Sequence, residues 1–297
     1  NDPQAELILR QLGLSSAIST GNGDGFFVVD TNDGGNKANS YVTEKQTDYV
    51  TLLPDGGALH HLQISVTYVK NGPVYEGTEQ QEDYVDMQRT YLPGNATILG
   101  YSGFVPPGTF GLPPPNGCAA AAAIFDTSCD PAHLFTSPTT ASDVPGRTMV
   151  FGSLWLSCGG AIDPTHPVET VQDFKHLLSG NSRVLGYDFQ TCYTAPITRT
   201  QNIYIEWYTP NAFTIDASGH GTYTELVEKQ AGSGDFLLGV GDYLTVYVDT
   251  SQLHARNPNV STDPIVTVDD WNALIAGKKP FINHQQIQSN TTVTFGF

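Results

Sequence analysis

The sequence predicts an all-β protein: an antiparallel β-sandwich, as one sandwich or two packed together, with a few short helices and disulfide-stapled insertions. Three observations carry this. Apolar residues alternate with a period of two in ten or more short stretches. Gly and Pro punctuate those stretches, with 30 Gly and 19 Pro among 297 residues. Only 14% of residues are charged, against roughly 25% in ordinary soluble domains.

Taken in order, Pro3 to Leu14 reads as a short amphipathic helix, with Leu7, Ile8, Leu12 and Leu14 on one side and Gly13 as a cap. Phe26 to Val29 follows a Gly/Asn/Asp cluster and reads as a strand. A long hairpin comes next, Tyr41 to Leu53 and Ala58 to Lys70 flanking the turn Pro54-Asp55-Gly56-Gly57. Leu62, Ile64, Val66 and Tyr68 share one face of its second strand, and His61, Gln63, Ser65 and Thr67 the other. That predicts one buried and one wet face.

Further strands are expected at Tyr84 to Leu92, Thr97 to Phe104, Met149 to Leu156, Arg183 to Tyr193, Ile203 to Trp207, Tyr223 to Gln230, Tyr243 to Asp249 and Thr292 to Phe297. Val168 to Leu178 and Asp269 to Ala276 carry apolar residues at helical spacing, each followed closely by a glycine. Pro, Gly, Ala and Ser dominate between Val105 and Pro145. The expected division is a helix-and-hairpin β domain over 1–104, a Pro/Gly/Ala-rich insertion over 105–146, and a C-terminal sandwich over 147–297.

Composition excludes several function classes. With 13 basic and 30 acidic side chains the net charge is -17, which argues against nucleic acid or an anionic membrane as partner. No apolar run of about 18 residues predicts a membrane span in this chain. Four cysteines, Cys118, Cys129, Cys158 and Cys192, lie outside any C-x-x-C pair, so an oxidised, exported protein is expected rather than a zinc ribbon. Asn95, Asn259 and Asn290 head glycosylation tripeptides, which makes a glycoprotein one expectation. If Asn1 is the natural start, an upstream segment was removed.

The chain lacks G-x-S-x-G, H-E-x-x-H and phosphate-loop signatures. His60 and His61 are adjacent on a strand and point to opposite faces, so they cannot share a metal without a bulge. Both are read as ordinary surface histidines. Asp30 to Asn36 looks like a calcium loop, with Gly35 at position six from Asp30, but Tyr41 stands where an EF-hand needs a bidentate Glu. Asp30, Asn32 and Asp33 are therefore candidates only for an irregular calcium site, with a structural turn preferred and no other cofactor expected. Glu206, Glu225 and Glu228 are the acids a glycosidase could use, though nothing singles out a pair. Lys37 and Lys229 sit in β-rich contexts where Lys–Asn or Lys–Asp crosslinks occur in secreted domains; a surface lysine or salt bridge is the preferred reading of each.

Several motifs carry a resemblance. Val28-Val29-Asp30-Thr31-Asn32, then Gly34-Gly35-Asn36-Lys37-Ala38-Asn39, a long hairpin, Val150-Phe151-Gly152, Tyr223 to Gly232 (YTELVEKQAG) and Val293-Thr294-Phe295 occur in this order. The chain resembles the C-terminal extracytoplasmic part of the bacterial family catalogued as domain of unknown function 4012. The resemblance implies a surface protein with an upstream helical region and a membrane anchor, and a processing site at Asn1; it supplies no catalytic residues. Residues near 105–145 and 159–197 depart from the family pattern as insertions, each holding or bracketing a cysteine pair. Among three possible pairings this favours Cys118–Cys129 and Cys158–Cys192.

The function expected is a non-enzymatic extracellular structural module, a subunit of a filament, sheath or surface layer released from a membrane-anchored precursor. Self-association through sheet edges would use the alternating Val293, Phe295 and Phe297 of the last strand. The alternative is a carbohydrate- or protein-binding adhesion domain with Tyr101, Phe104, Phe110 and Trp155 as an aromatic platform. A glycoside hydrolase comes third.

Overall fold

The hairpin organises the molecule. In the computed structural model, which describes residues 23–31, 41–70, 84–104, 140, 142, 144–156, 197–230, 241–258 and 264–297, strands β2 (Val42–Leu52) and β3 (Ala58–Lys70) pair antiparallel from Val42↔Tyr68 to Leu52↔Ala58. Their turn closes with Leu53 N–H donating to the Gly57 carbonyl at 2.9 Å, and Gly56 takes φ +82°. The Asp55 carboxylate accepts from Gly57 N–H at 2.9 Å and from the Tyr208 hydroxyl at 2.8 Å, which pins the turn to its neighbour.

The remaining strands are β1 (Asp24–Val29), β4 (Tyr84–Pro93), β5 (Thr97–Ser102), β6 (Arg147–Leu156), β7 (Ile197–Thr209), β8 (Phe213–Ile215), β9 (Gly221–Glu228), β10 (Asp242–Asp249), β11 (Ile282–Gln286) and β12 (Thr291–Gly296). They form two six-stranded sheets. One runs β12-β9-β1-β4-β6, with β8 also on β9; the other runs β11-β10-β2-β3-β7-β5. Strands from 24–102 and from 147–296 occur in both sheets.

Both sheets are mixed rather than purely antiparallel. β1 runs parallel to β9, and β2 parallel to β10 over Glu44↔Asp242 to Thr51↔Asp249. Alternation of apolar residues specifies which face is buried, and it is the same for either strand direction. The sequence pattern therefore located the strands without their neighbours. The short strands β8 and β11 also escaped it, because β8 has only three residues, too few to establish a period, and β11 has one apolar side chain among five.

The sheets share one apolar cluster. Phe26, Val28, Leu92, Val150, Leu154, Tyr223, Val227 and Val293 from one meet Val50, Leu62, Ile64, Val66, Ile203, Ile205, Trp207 and Val246 from the other. Each fully buried Leu, Ile or Val contributes about 1.5–3 kcal/mol relative to exposure. Phe26 meets Trp207 edge-on across the two layers, centroids 6.1 Å apart. The expected inward set Leu62, Ile64, Val66 and Tyr68 is buried to 1% or less.

The outer face of the second sheet is partly covered by the only helix among the described residues, α1 (Val268–Ile275). Thr267 and Asp270 form a reciprocal capping box at its start, which satisfies two end amides. Trp271 packs with Tyr49, Tyr204 and Ile265. This cover explains why His61, expected on the wet face, is only 4% exposed. The helices expected at Pro3–Leu14 and Val168–Leu178, the strand at Arg183–Tyr193, most of 105–146 and all four cysteines lie outside the described residues.

Candidate functional site

Ionisable side chains on the inward register positions make the candidate site. Asp48 has the parity of Val50 and Leu52, His60 that of Leu62 and Ile64, and Glu225 that of Tyr223 and Val227, so the pleat drives all three between the sheets. Asp48, His60 and Glu225 have no solvent exposure and Asp24 only 5%. His60 is thus no surface histidine: at position 60 the side chain must point where Leu62 and Ile64 point.

His60 spends both ring nitrogens on carboxylates, Nδ1 with Asp48 Oδ2 at 2.8 Å and Nε2 with Asp24 Oδ2 at 2.9 Å. Trp207 stacks on the imidazole, centroids 4.2 Å apart and planes 6° apart, a geometry that favours a cationic ring. Asp24 also accepts from the Thr209 and Tyr223 hydroxyls and from Gly25 N–H, each at 2.9 Å. Burial would lower the His60 pKa, but the charges of Asp24 and Asp48 override it and raise it well above the ordinary value. Burial would raise Asp24, and the His60 charge and hydrogen bonds hold it below the ordinary carboxyl range instead. Glu225 is pushed well up, by burial first and then by the charge of Asp48. Among the described residues no N–H or hydroxyl reaches Asp48 Oδ1 or either Glu225 oxygen. Both causes favour a protonated Glu225, whose hydroxyl could then donate to Asp48.

Asp48, His60 and Glu225 bring one ligand atom each within 4.8 Å of one another. The His60 nitrogens are already hydrogen-bonded to carboxylates, so a cation there would have to displace Asp48 from Nδ1. The donor set includes a nitrogen, which suits calcium poorly.

A second inward group lies along the same layer. Gln88 Nε2 donates to Asp30 Oδ1 at 3.0 Å and to Glu44 Oε2 at 3.3 Å, and Gln46 Nε2 to Glu44 Oε1 at 2.5 Å. Gln230 clasps the Asp30 backbone, accepting from its N–H at 2.7 Å and donating to its carbonyl at 2.8 Å. Burial, then the charges of Asp30 and Asp242, push the Glu44 carboxyl well up; burial also raises Asp30. Lys229 Nζ stands 2.5 Å from Asp242 Oδ2.

Outside the layer, Glu206 accepts from Ile265 N–H at 2.6 Å, and Glu228 pairs with Arg147. Tyr49 donates to Asp249, which also accepts from Lys278 Nζ at 3.0 Å. Burial and that carboxylate push the Tyr49 hydroxyl up to about 12.

The three acids named for glycosidase chemistry are therefore separated: Glu225 points between the sheets, Glu206 away from them under Ile265, and Glu228 onto Arg147. Of the calcium candidates, Asp30 is half-buried and joins the second group, while Asn32 and Asp33 lie outside the described residues. Asn95 and Asn290 are exposed, with Asn95 Nδ2 donating to the Pro210 carbonyl and Asn290 Oδ1 accepting from Lys229 N–H; Asn259 lies outside the described residues. β12 pairs antiparallel with β9 from Thr291↔Val227 to Gly296↔Thr222 at the edge of its sheet. It buries Val293 and packs Phe295 and Phe297 onto the core. Of the aromatic platform, Tyr101 is exposed and Phe104 buried against Gly152; Phe110 lies outside the described residues, as does the side chain of Trp155.

Sequence reading missed His60, Asp24, Asp48 and Glu44 as a group. The available signal was a charged residue on an apolar parity.

No protein-family model matches the chain, and no curated protein matches it. Among solved structures, the chain is similar to a Legionella pneumophila protein described provisionally as a nutrient binding protein, with a TM-score of 0.29 and 9% identity over 76% of this chain and 54% of that one. The chain spans about half the length of that protein, and a likeness of this degree carries no argument. No helix among the described residues is long and apolar enough to cross a membrane.

Proposed function

We propose that the chain is a non-enzymatic extracellular structural module, a disulfide-stapled β-sandwich that serves as a subunit of a cell-surface assembly after release from a membrane-anchored precursor. One observation carries this reading: among the described residues, the buried histidine and acids of the candidate site are taken up in structural contacts, across the sheets at His60, within one sheet at Glu228 and on its outer face at Glu206. His60 bridges Asp24 and Asp48 with no solvent exposure, Glu228 holds Arg147, and Glu206 holds the Ile265 amide. Groups so used brace a fold and cannot meet a substrate from solution. The low charged fraction and the motif resemblance to domain of unknown function 4012 support the cell-surface setting.

Assembly would proceed through open sheet edges. Among the described residues, β12 and β6 end one sheet and β11 and β5 the other, and an unpaired edge offers backbone donors and acceptors to a second copy. Electron microscopy of material from its native source tests this. Regular polymers or a lattice are expected; a dispersed monomer that saturably binds a glycan array would overturn the structural role in favour of adhesion.

The adhesion reading has one specific support. Leu99 and Tyr101 on edge strand β5 are 47% and 39% exposed, and Ser102 Oγ ties that strand to the Ile265 carbonyl, next to exposed Val266. Such a patch suits a protein partner. Leu99→Lys that abolishes partner capture while leaving polymers intact would favour it.

A further inference from the structure

Lys229 and Asp242 meet across the two sheets. Lys229 directly follows β9 and continues the inward parity of Tyr223, Glu225 and Val227; Asp242 opens β10 with the inward parity of Leu244 and Val246. Their side chains are 9% and 10% exposed, and Nζ lies 2.5 Å from Oδ2. The carboxyl carbon is at most one C–O bond farther, which holds the amine near the attack range of about 3–3.5 Å. Glu44 is the register partner of Asp242 on the parallel neighbour β2, on the same inward face. Gln46 and Gln88 fix the Glu44 carboxyl through Oε1 and Oε2. A buried amine, a buried carboxyl and an adjacent second carboxyl are the parts that amide condensation requires.

We propose that Lys229 and Asp242 condense into an intramolecular isopeptide bond that covalently joins the two sheets, with Glu44 relaying protons. The step balances without any co-reactant. Lys229 Nζ passes one ammonium proton to the Asp242 carboxylate, which leaves a neutral amine beside a neutral acid. Removing both charges relieves the desolvation cost of an ion pair held away from water. The Nζ lone pair then adds to Asp242 Cγ. Glu44 gives its carboxyl proton to the carbonyl oxygen and takes one from the new ammonium centre. The tetrahedral centre, which already carries the new C–N bond, then collapses. Glu44 protonates one hydroxyl, whose C–O bond breaks to release one water, and takes the proton of the other hydroxyl as the C=O bond re-forms. Glu44 thus ends in its starting state. Burial and the neighbouring Asp30 charge push the Glu44 carboxyl well up, the direction the relay needs. Lys229 also donates to the Gln230 carbonyl at 3.0 Å, which limits rotation of its ammonium end. The crosslink stands on this geometry alone and does not depend on the structural role proposed above.

Mass spectrometry of the full chain, reduced, alkylated and digested with trypsin after denaturation, tests it. The expected product is one peptide, 200–256, uncleaved after Lys229, lighter than its sequence by one water, with fragment ions placing the link between Lys229 and Asp242. Separate peptides 200–229 and 230–256 at full sequence mass would overturn the crosslink. So would a lost water with normal cleavage after Lys229, the mark of an aspartimide. Glu44→Gln, checked for native circular dichroism, is expected to form the link about 100-fold more slowly. Unchanged kinetics in a folded Glu44→Gln protein would overturn the relay.

Discussion

Trp207 lies flat on His60, with ring centroids 4.2 Å apart and planes only 6° from parallel. The indole covers one face of an imidazole whose two nitrogens face Asp24 and Asp48. Carboxylates in the ring plane and an aromatic cloud above it all favour the same species, a protonated His60. One imidazolium thereby draws together β1, β2, β3 and β7, from both sheets.

Removing that cation should be costly. His60→Ala leaves Asp24 and Asp48 as buried charges without a partner, and the expected loss is about 3–5 kcal/mol in urea unfolding. Glu225→Gln, compared with the parent near pH 5 where the unfolded carboxyl still binds protons, should stay within about 1 kcal/mol of it. Equal losses from the two substitutions would contradict the assigned charge states.

Stability should fall as pH rises. His60 stabilises fully below its ordinary value of 6.5, and that contribution is lost as pH climbs through the raised value of the folded protein. Glu225 and Glu44 hold their protons in the fold, so they weaken it progressively above their ordinary value of 4.5. Asp24 acts in the opposite sense: its contribution is present above 3.8 and is lost only as pH drops through the depressed folded value. The melting temperature is therefore expected to peak in mild acid and to decline from about pH 5 to pH 9. Glu225→Gln should shallow that decline, which calorimetry across the range will read.

Two glycines separate backbone constraint from composition. Gly25 sits at φ +134° where β1 runs parallel to β9, and a Cβ there would lie 2.0 Å from the Leu226 carbonyl oxygen. Gly25→Ala should cost more than about 2 kcal/mol or prevent folding. Gly296 has open space around it, and Gly296→Ala should change stability by no more than about 0.5 kcal/mol.

The helix cap makes a local prediction. Thr267→Ala removes the side chain that accepts from Asp270 N–H at 3.1 Å, with an expected cost of about 0.5–2 kcal/mol. Because α1 covers the outer face at Tyr49 and Tyr204, hydrogen exchange should rise at Ile265 and Trp271 and stay unchanged in β1 and β9.

Most of the strand inventory was legible in the sequence. The hairpin around Pro54 to Gly57 and the helix starting near Asp269 follow from local turn and capping chemistry, which is encoded within a few residues. Sheet order was not legible, because the parallel pairing of β1 with β9 joins residues about 200 apart, and nothing in either strand names the other. The interior site was half legible. Asp48, His60 and Glu225 each break an apolar parity, so their burial could have been foreseen. Their meeting at one point depends on strand order and register. Lys229 was noted in the sequence, but its partner Asp242 lies on the opposite sheet.

The central claim is that the ionisable groups between the sheets are structural, sealed from solvent with their charges fixed. The most direct measurement is nitrogen-15 NMR of the histidine rings in the full chain, from pH 6 to pH 9. His60 should show both ring nitrogens protonated at pH 8, with ring protons protected from exchange with water. A neutral His60 ring that titrates near its ordinary value of 6.5 and exchanges freely would contradict the claim.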